Sequence, residues 1–293
     1  MGYDYNMMLN EMNLLVNTHR CADMFCIGES VMEKKIPCIK IGNGSKKLFI
    51  NGAHHGLEYI SSAFIMKFLY EYSNAYENQK RMFDYDIQEL FSKTTLYAVP
   101  MVNPDGVDIA VNGLDITNPY HRNLISLVGI HSFNKVWQAN VNAVDINHNY
   151  DAMWAPVENC PSPSRYSGPY PQSEPETKAV VDLIKNESFD MLIAFHSQGE
   201  EIYYDFEGNT VPYSYRIAEK MSEVSGYRVS TPQGSASFGG CKDWFIQEYK
   251  KPGFTVEIGV GKNPLPINTL NKIYPQNSKI VLCALNSLSK NTV

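Results

Sequence analysis

The stretch "KKLFINGAHHGLEYISSAFIMKFLYEY", residues 46 to 72, decides the architecture. Lys46 to Asn51 run into continuous apolar residues and read as a buried strand, while Tyr59 to Tyr72 carry apolar residues at the spacing of a helix packed on a sheet. Strand leads into helix across one short corner. That corner holds two adjacent histidines, His54 and His55, and a carboxylate, Glu58. The spacing permits two readings, a metal-binding corner or a solvated turn with a carboxylate at a helix N-terminus.

Working outward, the alternation continues. "TTLYAVPMVN" (94 to 103) reads as a second strand, ended by a turn at "NPDG". Ser173 and Glu176 have capping-box spacing with Pro175 between them, so a helix is expected to start there. "DMLIAF" (190 to 195) follows as a strand, "SYRIAEKMSEVSG" (214 to 226) as a helix closed by glycine, and "GFTVEIG" (253 to 259) as a last buried strand. Residues 105 to 171 are polar and rich in Gly and Asn without clear periodicity, the pattern of a functional surface. Strands alternating with helices predict an α/β sandwich with a mixed sheet.

The chain has 293 residues, 44% of them apolar, enough for a substantial core, and no linker or internal repeat divides it. Its 31 acidic and 25 basic residues are dispersed and leave a net charge of −6, which argues against nucleic acid as a partner. No run approaches the ~18 apolar residues of a membrane span, and the first twenty residues lack the features of an export signal. Six cysteines at irregular spacing fit reduced thiols, and Cys21 and Cys26 lack zinc-knuckle spacing. A cytoplasmic protein is expected.

Ligand sites in open α/β sheets form at the carboxyl ends of strands. Three polar clusters fall there: His55 with Glu58, His196 after "DMLIAF", and Glu257 within "GFTVEIG". A His at a strand end and a Glu three residues on can face one ion, and zinc would need one more nitrogen ligand and an open position for water. By chance alone about one H-x-x-[DE] match is expected, and the chain has two, His55/Glu58 and His148/Asp151. Glu257, flanked by Phe254, Val256 and Ile258, adds weight because a carboxylate in a buried strand is costly unless compensated. It is either paired with a cation or acts as a general base.

"HGLE", "VNPDG", "VDINHNYDAMW", "SEPET", "AFHSQGEEIYY", "GGCKDW" and "FTVEIG" occur in the order found in zinc carboxypeptidases of the carboxypeptidase A type, the M14 peptidases. The chain resembles that family from about residue 27 to residue 266. "HSQGEEIYY" and "KDWFIQEYKKPGFTVEIGVGKNPLP" resemble, more narrowly, its bacterial γ-D-glutamyl-L-diamino acid endopeptidases. The resemblance implies a carboxypeptidase-like (phosphorylase/hydrolase-like) α/β/α sandwich. Residues 1–293 would form a single catalytic domain, with residues 1–26 as a helical extension packed on it. It implies one Zn²⁺ per chain held by His55, Glu58 and His196, with Glu257 as general base and acid. Asp145 would support a zinc-bound histidine, a role an Asx turn would mimic in sequence, and Asn147 would contact the substrate carboxylate.

Three positions depart from the family. His148 stands where carboxypeptidases of the A type have the Arg that pairs with the substrate's terminal carboxylate, and imidazole cannot make that bidentate contact. Gln138 stands at the approximate place of the Arg beside the developing oxyanion, and Ser235 at that of the active-site Tyr. Lys242 would lie at the floor of the pocket for the residue after the cut bond, where a cation favours a carboxylate-bearing side chain; read without the resemblance it is an exposed helix lysine. Tyr203, Tyr204, Trp154 and Tyr166 line the cleft or pack in loops.

The resulting expectation is a zinc peptidase that cleaves the γ-D-glutamyl–diamino acid bond of a small muropeptide. Two alternatives are a conventional carboxypeptidase acting on α-linked peptides and a zinc-containing protein that binds wall peptides without cutting them. The oligomeric state is not legible.

Overall fold

In the computed structural model, residues 2–129, 132–209, 211–231 and 238–290 are described. Ser235 lies outside them. The chain begins with helix α1 (Tyr5–Thr18), capped by the Asp4 carboxylate on the Met7 amide, and then forms strands β1 (Ala22–Glu29), β2 (Lys35–Gly42) and β3 (Lys46–Gly52). Position 26 therefore falls inside a strand. Helix α2 (Tyr59–Glu77) follows the histidine corner as the apolar spacing predicts. A two-residue hairpin, β4 (Arg81–Met82) with β5 (Tyr85–Asp86), and helix α3 (Ile87–Lys93) lead into β6 (Thr94–Val99).

The "NPDG" segment is not a simple turn. Helix α4 (Pro104–Asn112) starts there, with Pro104 at its first position and the Asn103 side chain accepting the Gly106 amide. Short helices α5 (Pro119–Val128) and α6 (Phe133–Val136) also lie in the stretch that lacks sequence periodicity, and only from Trp137 to Glu174 is the backbone mostly irregular. Both are short and mostly exposed, so little apolar periodicity marked them.

Helix α7 (Pro175–Glu187) begins at the expected proline, but no capping box forms. The Ser173 hydroxyl bonds the Glu174 carboxylate, and Glu176 turns inward to the Val31 amide and the Asn140 side chain. The remaining elements are β7 (Met191–His196), β8 (Glu201–Tyr203), α8 (Ser214–Ser225), β9 (Arg228–Ser230), α9 (Cys241–Tyr249), β10 (Gly253–Glu257) and α10 (Leu270–Ser289).

The main sheet has eight strands in the order β1-β2-β6-β3-β7-β10-β8-β9. Its middle, β6-β3-β7-β10, is parallel, while β1, β2 and β8 pair antiparallel with their inner neighbours. One face packs α1, α2, α8 and α10 through Met8, Ile50, Phe64, Ile193 and Leu285; the other packs α7 and α9 through Phe49, Leu192, Val180 and Phe245. The mixed sheet with helices on both faces is the α/β/α sandwich that the alternation predicts. Burial on both faces makes β3, β6 and β7 continuously apolar. All three end at the same edge, where the polar residues follow.

Candidate metal centre

The corner after β3 is shaped by backbone crowding. A Cβ on Gly56 would stand 2.4 Å from the Gly106 carbonyl oxygen, and one on Gly106 would stand 2.3 Å from that of Ala139, so glycine alone lets these segments meet. Asn103 fixes the corner further. Its side-chain amide donates to the carbonyl oxygens of His54 at 2.9 Å and Gln138 at 3.3 Å. The "HGLE" and "VNPDG" motifs are thus two halves of one joint.

At this joint His55, Glu58 and His196 converge although 138 positions separate Glu58 from His196, with one donor atom of each within 4.8 Å of the others. The Glu58 carboxylate lies 2.9 Å from Nδ1 of His55 and 2.9 Å from Nδ1 of His196. It also accepts the Ser197 amide at 3.2 Å, and Asn263 donates to it at 3.4 Å. The other nitrogen of His55, Nε2, meets Asp145 Oδ1 at 3.1 Å, and Asp145 is itself held by the amides of Asn147 and Arg165. Asp145 therefore fixes one tautomer and one orientation of the ring.

The electrostatics fit a bound cation. Burial disfavours charge on His55, but Glu58 and Asp145 on either side outweigh it and raise the imidazole well above its ordinary pKa. Burial would likewise raise Glu58, yet the charge of His55 and the hydrogen bonds of both histidines hold it at about 2. Without metal, a proton on His55 supplies the positive charge that the two carboxylates require. Two imidazoles and one carboxylate, one imidazole braced from behind, form a donor set suited to zinc.

His54 also joins this centre, although the neighbour of a ligand in an extended segment normally faces the other way. Its ring is fully buried, stacks beside His196 with centroids 5.5 Å apart and reaches the Tyr150 hydroxyl at 2.9 Å. Burial, and then the charges of His196 and His55, push its pKa well below normal, so it is a neutral packing partner. Ser197 and Asn263 were also missed as partners of Glu58. Nothing in their spacing announces it.

Glu257 ends β10 in parallel register with His196. It is only half-buried in side-chain exposure, so the strand is not sealed as the sequence suggests. Its carboxyl nonetheless sits well above the ordinary value, first because of burial and then because Glu58 lies close. No cation pairs with it among the described residues. The ion-pair alternative for Glu257 finds no support there.

The other expected residues are held by contacts of their own. The Asn147 side-chain oxygen accepts the Cys241 amide at the start of α9 at 3.1 Å, and His148 Nδ1 lies 2.9 Å from the Phe238 carbonyl oxygen. Gln138 adjoins the metal corner through its backbone, which accepts the Gly56 amide at 3.0 Å. Lys242 is not an exposed helix lysine: it is 2% exposed, donates to the Asp205 carbonyl at 2.7 Å and is ion-paired with Asp243. Trp154 donates to the Ser167 carbonyl, the Tyr166 backbone carbonyl receives the Asp145 amide, and Tyr204 packs on Tyr215 of α8.

A family model described as zinc carboxypeptidase matches residues 8–281. The chain belongs to the zinc carboxypeptidase family. It is a zinc metallopeptidase, and the His55, Glu58 and His196 cluster is the group able to hold the ion. The "Gamma-D-glutamyl-L-diamino acid endopeptidase 1" of Lysinibacillus sphaericus is 40% identical over 97% of this zinc carboxypeptidase and 72% of its own length. Bovine carboxypeptidase B is 24% identical over 79% of this chain and 56% of its own. The solved structure of bovine thrombin-activatable fibrinolysis inhibitor shares the fold, with a TM-score of 0.78 and 20% identity over 99% of this chain and 98% of that one. In this zinc carboxypeptidase no helix among the described residues is long and apolar enough to cross a membrane.

Proposed function

We propose that this zinc carboxypeptidase, acting as one catalytic domain over residues 1–293, hydrolyses the γ-D-glutamyl–diamino acid amide bond of small peptides derived from peptidoglycan. The observation that carries the reading is the 40% identity, along nearly the whole chain, to a protein named for that reaction. The lack of an arginine at His148 supports it, because a strictly C-terminal peptidase would need a strong receptor for the terminal carboxylate.

In this reading His55, Glu58 and His196 hold zinc, which when bound polarises the amide carbonyl and acidifies water. Glu257 takes the proton of the attacking water and returns it to the departing nitrogen, a role that suits a carboxyl lifted above its normal pKa. Asp145 keeps His55 oriented. Asn147, with its oxygen committed to Cys241, offers its amide N–H groups to the substrate, and Gln138 and His148 offer further hydrogen-bonding groups beside it. A cytoplasmic setting, and recycling of wall peptides, belong to the same reading; six unbridged cysteines favour a reducing compartment.

The test is incubation of zinc-loaded protein with L-Ala-γ-D-Glu-diaminopimelate and, separately, with blocked α-linked dipeptides, followed by mass spectrometry. Cleavage of the first and not the second is expected. The reverse would make it a conventional carboxypeptidase, and binding without cleavage would make it a wall-peptide receptor.

A further inference from the structure

Strand β8 carries a second carboxylate into the row of site residues. Glu257 pairs in parallel register with His196 on β7 and in antiparallel register with Glu201 on β8. Residues opposite one another in a sheet project from the same face, with strands ~4.8 Å apart. His196, Glu257 and Glu201 thus stand in line, Glu201 outermost and on the side away from the His55–Glu58 corner. A Cβ on Gly199 would lie 3.6 Å from Glu257 Cβ and 3.7 Å from Glu201 Oε2, so both glutamates border the same glycine.

Glu201 meets two neutral hydroxyls and one exposed cation. Tyr203 donates to Oε2 at 3.0 Å and Ser230 donates to Oε1, both neutral hydroxyls. The Arg228 guanidinium is 3.6 Å away, but its side chain is 75% exposed against 19% for Glu201. Lys242, the buried cation of α9, is already committed to Asp243 and the Asp205 carbonyl.

We infer that Glu201 is a specificity-determining residue that receives the distal ammonium of the diamino acid. The inference rests on the γ-D-glutamyl reading above. Glu257 returns its proton to the departing nitrogen, so the departing residue passes over Glu257, and its stem of methylenes spans the one strand spacing to Glu201. An ammonium there gains a charge-assisted hydrogen bond, whereas an apolar chain of equal length leaves the carboxylate desolvated without a partner.

The test compares γ-D-glutamyl-L-lysine peptides with their L-norleucine analogues, which lack only the distal ammonium. The wild-type protein is expected to favour lysine about 10- to 100-fold in kcat/KM, mainly through KM. Glu201→Gln should bring that ratio toward one, Glu201→Asp should keep part of it, and Arg228→Gln, by removing the competing guanidinium, should raise it. An unchanged ratio in Glu201→Gln overturns the assignment, as does a wild-type protein without preference. Should Glu201→Gln fail to fold, Arg228→Gln decides alone, and an unmoved ratio counts against Glu201. If only blocked α-linked peptides are cut, the γ-glutamyl reading falls, and the lysine-to-norleucine ratio on that linkage still decides the role of Glu201. If neither linkage is cut, calorimetric binding of the same two γ-linked peptides supplies the ratio.

Discussion

The metal corner and the wall around α9 use buried charge in opposite ways. At the corner the charges face one another around a common point: Glu58 touches both His55 and His196, and Asp145 braces His55 from behind. On the wall the charges are tied to the scaffold, Lys242 to Asp243 and Asp205, and the loop bearing Gln138 and Asp145 to Glu174 and Glu176 through Asn140. The difference teaches where damage should appear. Changes at the corner should alter zinc and catalysis, and changes in the wall's buried charges should alter stability first.

Glu257 stands between the two and offers the largest effect. Glu257→Gln should lower turnover about 10²- to 10⁴-fold while zinc content, read by metal analysis, stays at one per chain. Undiminished turnover would break the assignment of general base. Next, Lys242→Met strands the Asp243 carboxylate in a buried site and should cost about 3–5 kcal/mol in urea unfolding, with zinc retained. A loss of zinc without a loss of stability would erase the contrast.

At the corner, Asp145→Asn should weaken zinc about 10- to 100-fold in a competition titration against a chelator. Zinc affinity equal to wild type would remove Asp145 from the centre. The most gradual effect is a slope with pH. Burial, with Asp105 and Glu174 nearby, pushes Glu176 up to about 8, so the folded state keeps a proton that the unfolded chain, with an ordinary value of 4.5, has released. The stability from that proton is complete below the unfolded value and is lost as pH rises through the folded one, at up to about 1.4 kcal/mol per pH unit between them. Glu176→Gln should flatten that slope in unfolding curves measured across the window. An unaltered slope would place the titration elsewhere.

Much of the centre was legible because its pieces are local. His55 and Glu58 sit three residues apart between a strand and a helix whose periods are unmistakable, and His196 ends a run of apolar strand residues. The expected "NPDG" turn was a helix start because Asn103 caps it while also pinning the His54 carbonyl, a double role that spacing does not reveal. The Ser173/Glu176 capping box failed for a related reason. Glu176 is drawn inward by the Val31 amide and Asn140, and that tertiary pull outweighs a local cap.

By itself the sequence determined the alternating sheet-and-helix order and the residue types at the strand ends, since hydrophobic period and short-range spacing act within one or two elements. Tertiary structure alone decided that Glu201 shares a row with Glu257 and that Lys242 spends its charge inside the wall. Register between strands and the partner chosen by a buried charge depend on segments far apart in the chain, and no local pattern encodes which of them will meet.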